Sequence, residues 1–136
     1  LQGTVDQYAQ QPGERIASFE GLQMVVSGPV SYLVGERTTV AVHRTRKKIL
    51  WQLDRSFPFC LIQAGDHLFA GGQDVVAALD RTTGEVVWTA PVEGRAYGIA
   101  AANGRLFVST DRGRLHCFIS LHTENTEYAS ESWNLF

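Results

Sequence analysis

The sequence is short of several things, and each shortage closes a class of explanation. It has two cysteines, Cys60 and Cys117, among 136 residues. That is too few for a disulfide framework and leaves the redox compartment open. It has no excess of one charge: 12 Lys and Arg against 14 Asp and Glu give a formal net charge of −2. A near-neutral chain has no broad electrostatic attraction for nucleic acid or an anionic membrane. No apolar run approaches the roughly 20 residues of a membrane-spanning helix, and no signal-peptide pattern follows Leu1. Gly-x-Ser-x-Gly and a Gly-rich phosphate loop are both missing, and no long stretch shows helical periodicity. Because the first residue is Leu rather than Met, the chain is expected to be a piece of something longer.

What is present is a set of short apolar runs cut by turn residues every eight to twelve positions, the pattern of an all-β domain. Asn103-Gly104 precedes the run Arg105–Ser109, and Asp111-Arg112-Gly113 follows it. Asn-Gly takes the positive φ of a tight hairpin, so antiparallel strands should meet there.

The runs repeat. Ala64-Gly-Asp-His-Leu-Phe-Ala70 aligns with Ala102-Asn-Gly-Arg-Leu-Phe-Val108, and Val40–Trp51 aligns with Ala77–Trp88. The second alignment puts Trp51 with Trp88, Ala41 with Ala78 and Arg44 with Arg81. A period near 40 residues holding about four strands is that of a propeller blade. The expected architecture is therefore β-propeller blades of four antiparallel strands, about two full blades with partial flanking ones. Residues 22–57 form a degenerate first blade, 58–95 a second, and 96–119 part of a third. Residues 1–21 are an N-terminal segment in which 13–19 reads as the outer strand of an earlier blade. Residues 120–136 are a tail of undecided form: strand, short helix or linker. A closed ring needs at least four blades of about 40 residues, so the chain should be an arc of a longer protein, or a homo-oligomer if it is complete.

The strands expected in blade one are 22–26, 30–34, 38–43 and 49–53; in blade two, 60–64, 67–71, 75–79 and 86–90. The third unit supplies 98–102, 105–109 and 114–119.

Ala78-x-Asp80-x-x-x-Gly84-x-x-x-Trp88 carries a physical reading of its own. Asp80 can cap backbone amides and Gly84 can adopt positive φ, so the two bracket a tight turn. Trp88 then lies on an outer strand where its ring can pack against the next blade, with the small Ala78 leaving room. Unit one keeps Ala41 and Trp51 but has His43 and Lys47 at the Asp and Gly positions.

Ala78-x-Asp80-x-x-Thr83-Gly84-x-x-x-Trp88 resembles the tryptophan-docking motif of the pyrroloquinoline-quinone-like (PQQ-like) β-propeller repeats. Leu68–Gly71 and Leu106–Ser109 resemble the strand before it. The resemblance spans residues 22–119 and has the style of multi-propeller bacterial proteins. It implies a structural or protein-interaction scaffold, since most such repeats bind no quinone, and it slightly favours an exported protein. The rival it implies is a segment of a quinone-dependent dehydrogenase whose active site lies in missing blades. Those enzymes use a calcium ion and adjacent cysteines; here the cysteines lie 57 positions apart and no calcium-ligand cluster is visible. The expectation is no enzyme activity, no cofactor and no metal.

Other residues have plainer readings. Arg44, Arg46, Lys47 and Lys48 are a basic run without interleaved aromatics, read as a solvated turn. His116, Cys117 and His122 lack metal-ligand spacing; Cys117 and Cys60 read as buried thiols, and Gly71-Gly72 as a hairpin. Arg95, Tyr97, Asp111, Arg112 and Arg114 fall at turns on one propeller rim, where partner contacts gather, and are the candidate binding surface. The partner is a protein or the remaining blades, not nucleic acid.

Overall fold

The computed structural model describes residues 4–8, 15–20, 22–120 and 128–134, with side chains over 22–119. All twelve elements are strands: β1 (Thr4–Tyr8), β2 (Arg15–Glu20), β3 (Gln23–Ser27), β4 (Val30–Val34), β5 (Thr39–His43) and β6 (Lys48–Leu53). They continue as β7 (Cys60–Ala64), β8 (His67–Asp80), β9 (Val86–Ala102), β10 (Arg105–Thr110), β11 (Arg114–Ser120) and β12 (Tyr128–Asn134). β1 and β2 form an antiparallel pair. β3 to β6 form a four-stranded meander, and a six-stranded sheet runs β12-β11-β10-β9-β8-β7.

The long strands explain that uneven division. The strands expected at 67–71 and 75–79 are joined within β8, and those at 86–90 and 98–102 within β9. β8 nevertheless doubles back: the Arg81 amide donates to the Asp66 carbonyl at 3.0 Å, although the two residues flank the strand's opposite ends. In blade one the Arg44 amide meets the Pro29 carbonyl at 2.9 Å in the same way. The bend of β8 lies near Asp74, whose φ is +58°. Extended character persists through it because Gln73 pairs across to Arg95. β9 likewise passes from the outer strand of one blade to the innermost strand of the next. The six-stranded sheet is thus two four-stranded blades sharing long strands. β12, from the tail, is hydrogen-bonded antiparallel to β11 over Tyr128–Asn134.

Two apolar seams join the blades. Tyr32, Val34, Ala41 and Trp51 of blade one meet Leu61, Leu68, Ala70, Ala77 and Leu79 of blade two. On the other face of blade two, Phe69, Val76, Ala78 and Ala90 meet Ala96, Leu106, Val108 and Phe118. The period-2 alternation of strands is what supplies two apolar faces per blade. Small residues at Ala70, Ala77 and Ala78 let the sheets approach.

Lys47 stands where blade two has Gly84, and its φ is +51°. A left-handed non-glycine residue costs about 1–2 kcal/mol, whereas a new glycine frees the unfolded chain by about 0.4–1 kcal/mol. Relief should win. Lys47→Gly is expected to raise stability by about 0.5–1 kcal/mol, read as an increased urea midpoint at unchanged slope.

Candidate functional site

The docking-motif residues divide between the two seams: Ala41 and Trp51 lie on the one between blades one and two, Ala78 and Trp88 on the one between blade two and the third unit. Ala41 faces Trp51 across the β5–β6 ladder, and Ala78 faces Trp88 across β8–β9. Asp80 Oδ1 accepts the amides of Thr82 at 2.7 Å and Thr83 at 3.1 Å. Those donors, Thr82 first, hold its carboxyl below the usual carboxylate range. Gly84 has φ +77°, and the amide of Gly84 returns to the Asp80 carbonyl at 2.8 Å. The ring of Trp51 lies against this turn: a Cβ on Gly84 would come within 2.3 Å of Trp51 Cε3. Trp51 Nε1 donates to the Arg81 carbonyl at 2.9 Å, so the indole is both packed and satisfied. Trp88, half-buried, meets Phe118 of the third unit edge-on at 5.2 Å.

The rim holds the other candidates. The β8 bend, the bend within β9 and the β10–β11 turn converge there. Asp74 Oδ1 accepts the Gly94 amide at 2.9 Å, and Asp111 Oδ1 accepts the Arg95 amide at 2.8 Å. Both carboxylates therefore serve as backbone clamps, and the Gly94 amide, the foremost cause, lowers the pKa of Asp74. Gly94 itself, at φ +102°, is hemmed in by Asp111 and Arg112. Arg95 donates to Gln73 Oε1 at 3.2 Å and lies over the Phe59 ring, its guanidinium carbon 5.7 Å from the centroid. Phe59 and Tyr97 pack with centroids 5.0 Å apart. Tyr97 is 50% exposed, and a hydrogen bond to it raises the pKa of Arg95. Arg112 is exposed beside Gly94. Arg114 is drawn to Glu93 at 2.7 Å. The structure thus brings Arg95, Tyr97 and Asp111 together, with Arg112 alongside, while Arg114 belongs to a separate pair.

Phe59 and Gln73 complete the cluster and escaped the sequence reading. Their signal was present in Arg55-Ser-Phe-Pro-Phe59, an aromatic-rich link between blades. Arg55 lies over the Phe57 ring at 5.0 Å, repeating the arrangement one step away.

His116, buried in the seam behind the rim, accepts the Glu93 amide on Nε2 at 3.2 Å. That bond requires an unprotonated Nε2. Burial, opposed by Glu93 and assisted by Arg114, pushes its pKa below the ordinary 6.5. The folded state then binds fewer protons than the unfolded one as pH falls through that range. Stability should be full above about pH 6.5 and decline on acidification below it. Melting temperature followed from about pH 7.5 to 5 should fall, and His116→Gln should flatten the profile; an equally steep profile in the variant would refute the assignment.

Cys60 and Cys117 are both free thiols, and burial pushes the Cys60 thiol up. Among the described residues no group of three or more His, Cys, Asp or Glu is placed to hold a metal ion. Among the described residues no helix is long and apolar enough to cross a membrane.

With this geometry in view, a family profile described as outer membrane protein assembly factor BamB matches residues 71–119. That stretch, 71–119, is thus similar to the PQQ-like propeller repeats. No curated protein matches the sequence at a significant level. Among solved structures, BamB from Moraxella catarrhalis superposes at TM-score 0.72 and 14% identity, over 97% of this chain and 42% of that one. The Pan2 WD40 domain of Neurospora crassa superposes at 0.70 and 14% identity, over 97% and 44%. A europium-containing methanol dehydrogenase superposes at 0.59 and 20% identity, over 82% and 24%. The chain spans less than half the length of each. At these identities the likeness shows the fold alone: the blades of an incomplete β-propeller.

Proposed function

We propose that this chain is a non-catalytic propeller module that acts as a structural and protein-interaction scaffold. The observation that carries this reading is the rim cluster: a half-exposed Tyr97 packed at a tilt against Phe59 and flanked by Arg95, whose backbone amide is clamped by Asp111. Rigid, exposed Tyr and Arg side chains are the residue types that anchor protein interfaces at low entropic cost. The carboxylates at this rim support it too, because Asp74 and Asp111 already accept backbone amides and Asp74 is a weakened base.

The similarity to a methanol dehydrogenase favours a second reading, a segment of a quinone-dependent dehydrogenase. Calorimetric titration with pyrroloquinoline quinone and Ca²⁺ separates the two. The scaffold reading expects no saturable heat; tight, stoichiometric binding would sink it.

A further inference from the structure

We propose that the outer edge of blade one, formed by β6 and the turn before it, docks an extended acidic segment of a partner protein. This surface lies away from the Arg95–Tyr97 rim and does not rest on the reading given for it.

Comparison of the two repeat-equivalent corners carries the argument. The turn of blade two reads Arg81-Thr-Thr-Gly-Glu85, and that of blade one reads Arg44-Thr-Arg-Lys-Lys48. Both turns do the same topological job, linking the third strand of a blade to the fourth, so topology does not ask for the difference. Arg46, Lys47 and Lys48 stand where Thr83, Gly84 and Glu85 stand in blade two, a local change from −1 to +3. Among the described residues no acid forms an ion pair with any of the three, whereas Arg81 pairs with Asp66 and Arg114 with Glu93. Lys47 keeps its lysine in a left-handed conformation that glycine would adopt without strain. Concentrated, uncompensated positive charge of this kind is an attraction for carboxylates.

The charge borders apolar surface. Directly after Lys48, Ile49 is 58% exposed and Leu50 is 47% exposed. Leu50 is the bulged residue of β6, with no opposite number in β5, since Trp51 pairs with Ala41 and Ile49 with Val42. β6 is also the last strand of its sheet, so among the described residues its outer side pairs with no strand. Beside it runs a groove of about 410 Å³ lined by Pro29, Tyr32, Leu50, Trp51, Arg81 and Thr82, among others. A lysine alone on an edge strand discourages pairing; two adjacent exposed aliphatics beside a groove do the reverse. A recess of this volume beside an open strand edge offers side-chain pockets to an extended chain. An edge strand flanked by pockets is an established way to bind such a segment.

The test is fluorescence anisotropy with a short labelled peptide of alternating Glu and Val, compared with its Lys–Val counterpart. Saturable binding of the Glu–Val peptide is expected, about tenfold or more tighter than the Lys–Val peptide and weakened by salt. Arg46→Glu with Lys48→Glu should reduce affinity about tenfold or more, and Leu50→Thr should reduce it by severalfold; circular dichroism checks that each remains folded. Lys47→Gly should weaken the peptide while leaving the fold at least as stable. Equal binding of both peptides, or binding unaffected by these variants, overturns the proposal. So does sedimentation with phosphatidylglycerol vesicles in the absence of peptide binding, which would assign the patch to a lipid surface.

Discussion

Trp51→Ala is expected to lower the free energy of unfolding by about 3–5 kcal/mol, the usual loss for removing a large buried aromatic ring. The indole is only 9% exposed and belongs to the seam between blades one and two. Three separate contributions disappear with it. Its apolar area against Tyr32, Ala41 and the next blade returns to water; Tyr32 alone lies 6.1 Å away, ring to ring. A void opens over Gly84 that the backbone turn is too constrained to fill. The Arg81 carbonyl loses the Nε1–H donor at 2.9 Å, although water can take that place at a half-exposed site. Urea unfolding followed by circular dichroism checks the value. A loss below about 1 kcal/mol would place the ring outside the seam's energetics. Trp51→Phe should recover part of the loss, because the ring remains and only the donor and some volume go.

Gly84→Val attacks the same contact from the other side, and about 3 kcal/mol or more is expected. Two independent reasons add. At φ +77° a β-branched side chain is held in a conformation that costs about 1–2 kcal/mol before any neighbour is considered. Its Cβ would also sit 2.3 Å from Trp51 Cε3 and 2.5 Å from Cδ2, far inside contact distance. The indole has to leave, and its stacking on the turn goes with it. Combining Gly84→Val with Trp51→Ala provides the decisive comparison. If the two residues act through one contact, the double variant loses less than the two single losses added together. Strict additivity would show that the glycine serves its own turn alone.

That cycle bears on what the sequence made legible. The repeat, the all-β class and the four-stranded blades were readable because turn residues and apolar alternation recur at a fixed spacing. The roles of Asp80 and Gly84 within one turn could also be read, since both are local backbone requirements. The destination of the tryptophan was legible as far as the next blade, but not which residue of that blade receives it. Trp51 belongs by alignment to unit one, yet the turn that needs a glycine because of it is in unit two. Unit one's own turn has Lys47, and the position aligned with Trp88 two units earlier, counting back from Gly84 to Gly13, is Ala17. Seen this way, Lys47 marks a position where no tryptophan arrives. The fused strands β8 and β9 were hidden for a related reason. Turn composition marks where a chain bends, but pairing such as Gln73 with Arg95 decides whether it stays extended through the bend. The rim cluster was half visible: Arg95, Tyr97 and Asp111 announce themselves as turn-flanking residues. Phe59 comes from a different blade's link, and only the fold carries it there.

The forward reach of Trp51 also gives the array a direction. Unit one contributes the ring and unit two contributes the slot, so the contact has a giver and a receiver. Protection of the 81–84 amides against solvent exchange should therefore follow the integrity of the unit before them as well as that of their own, whose Asp66 and Asp80 accept these amides. A cut made at the sequence boundary near residue 58 would leave unit two intact in strands but open at that slot. The segment that behaves as one mechanical piece is thus offset from the segment that repeats.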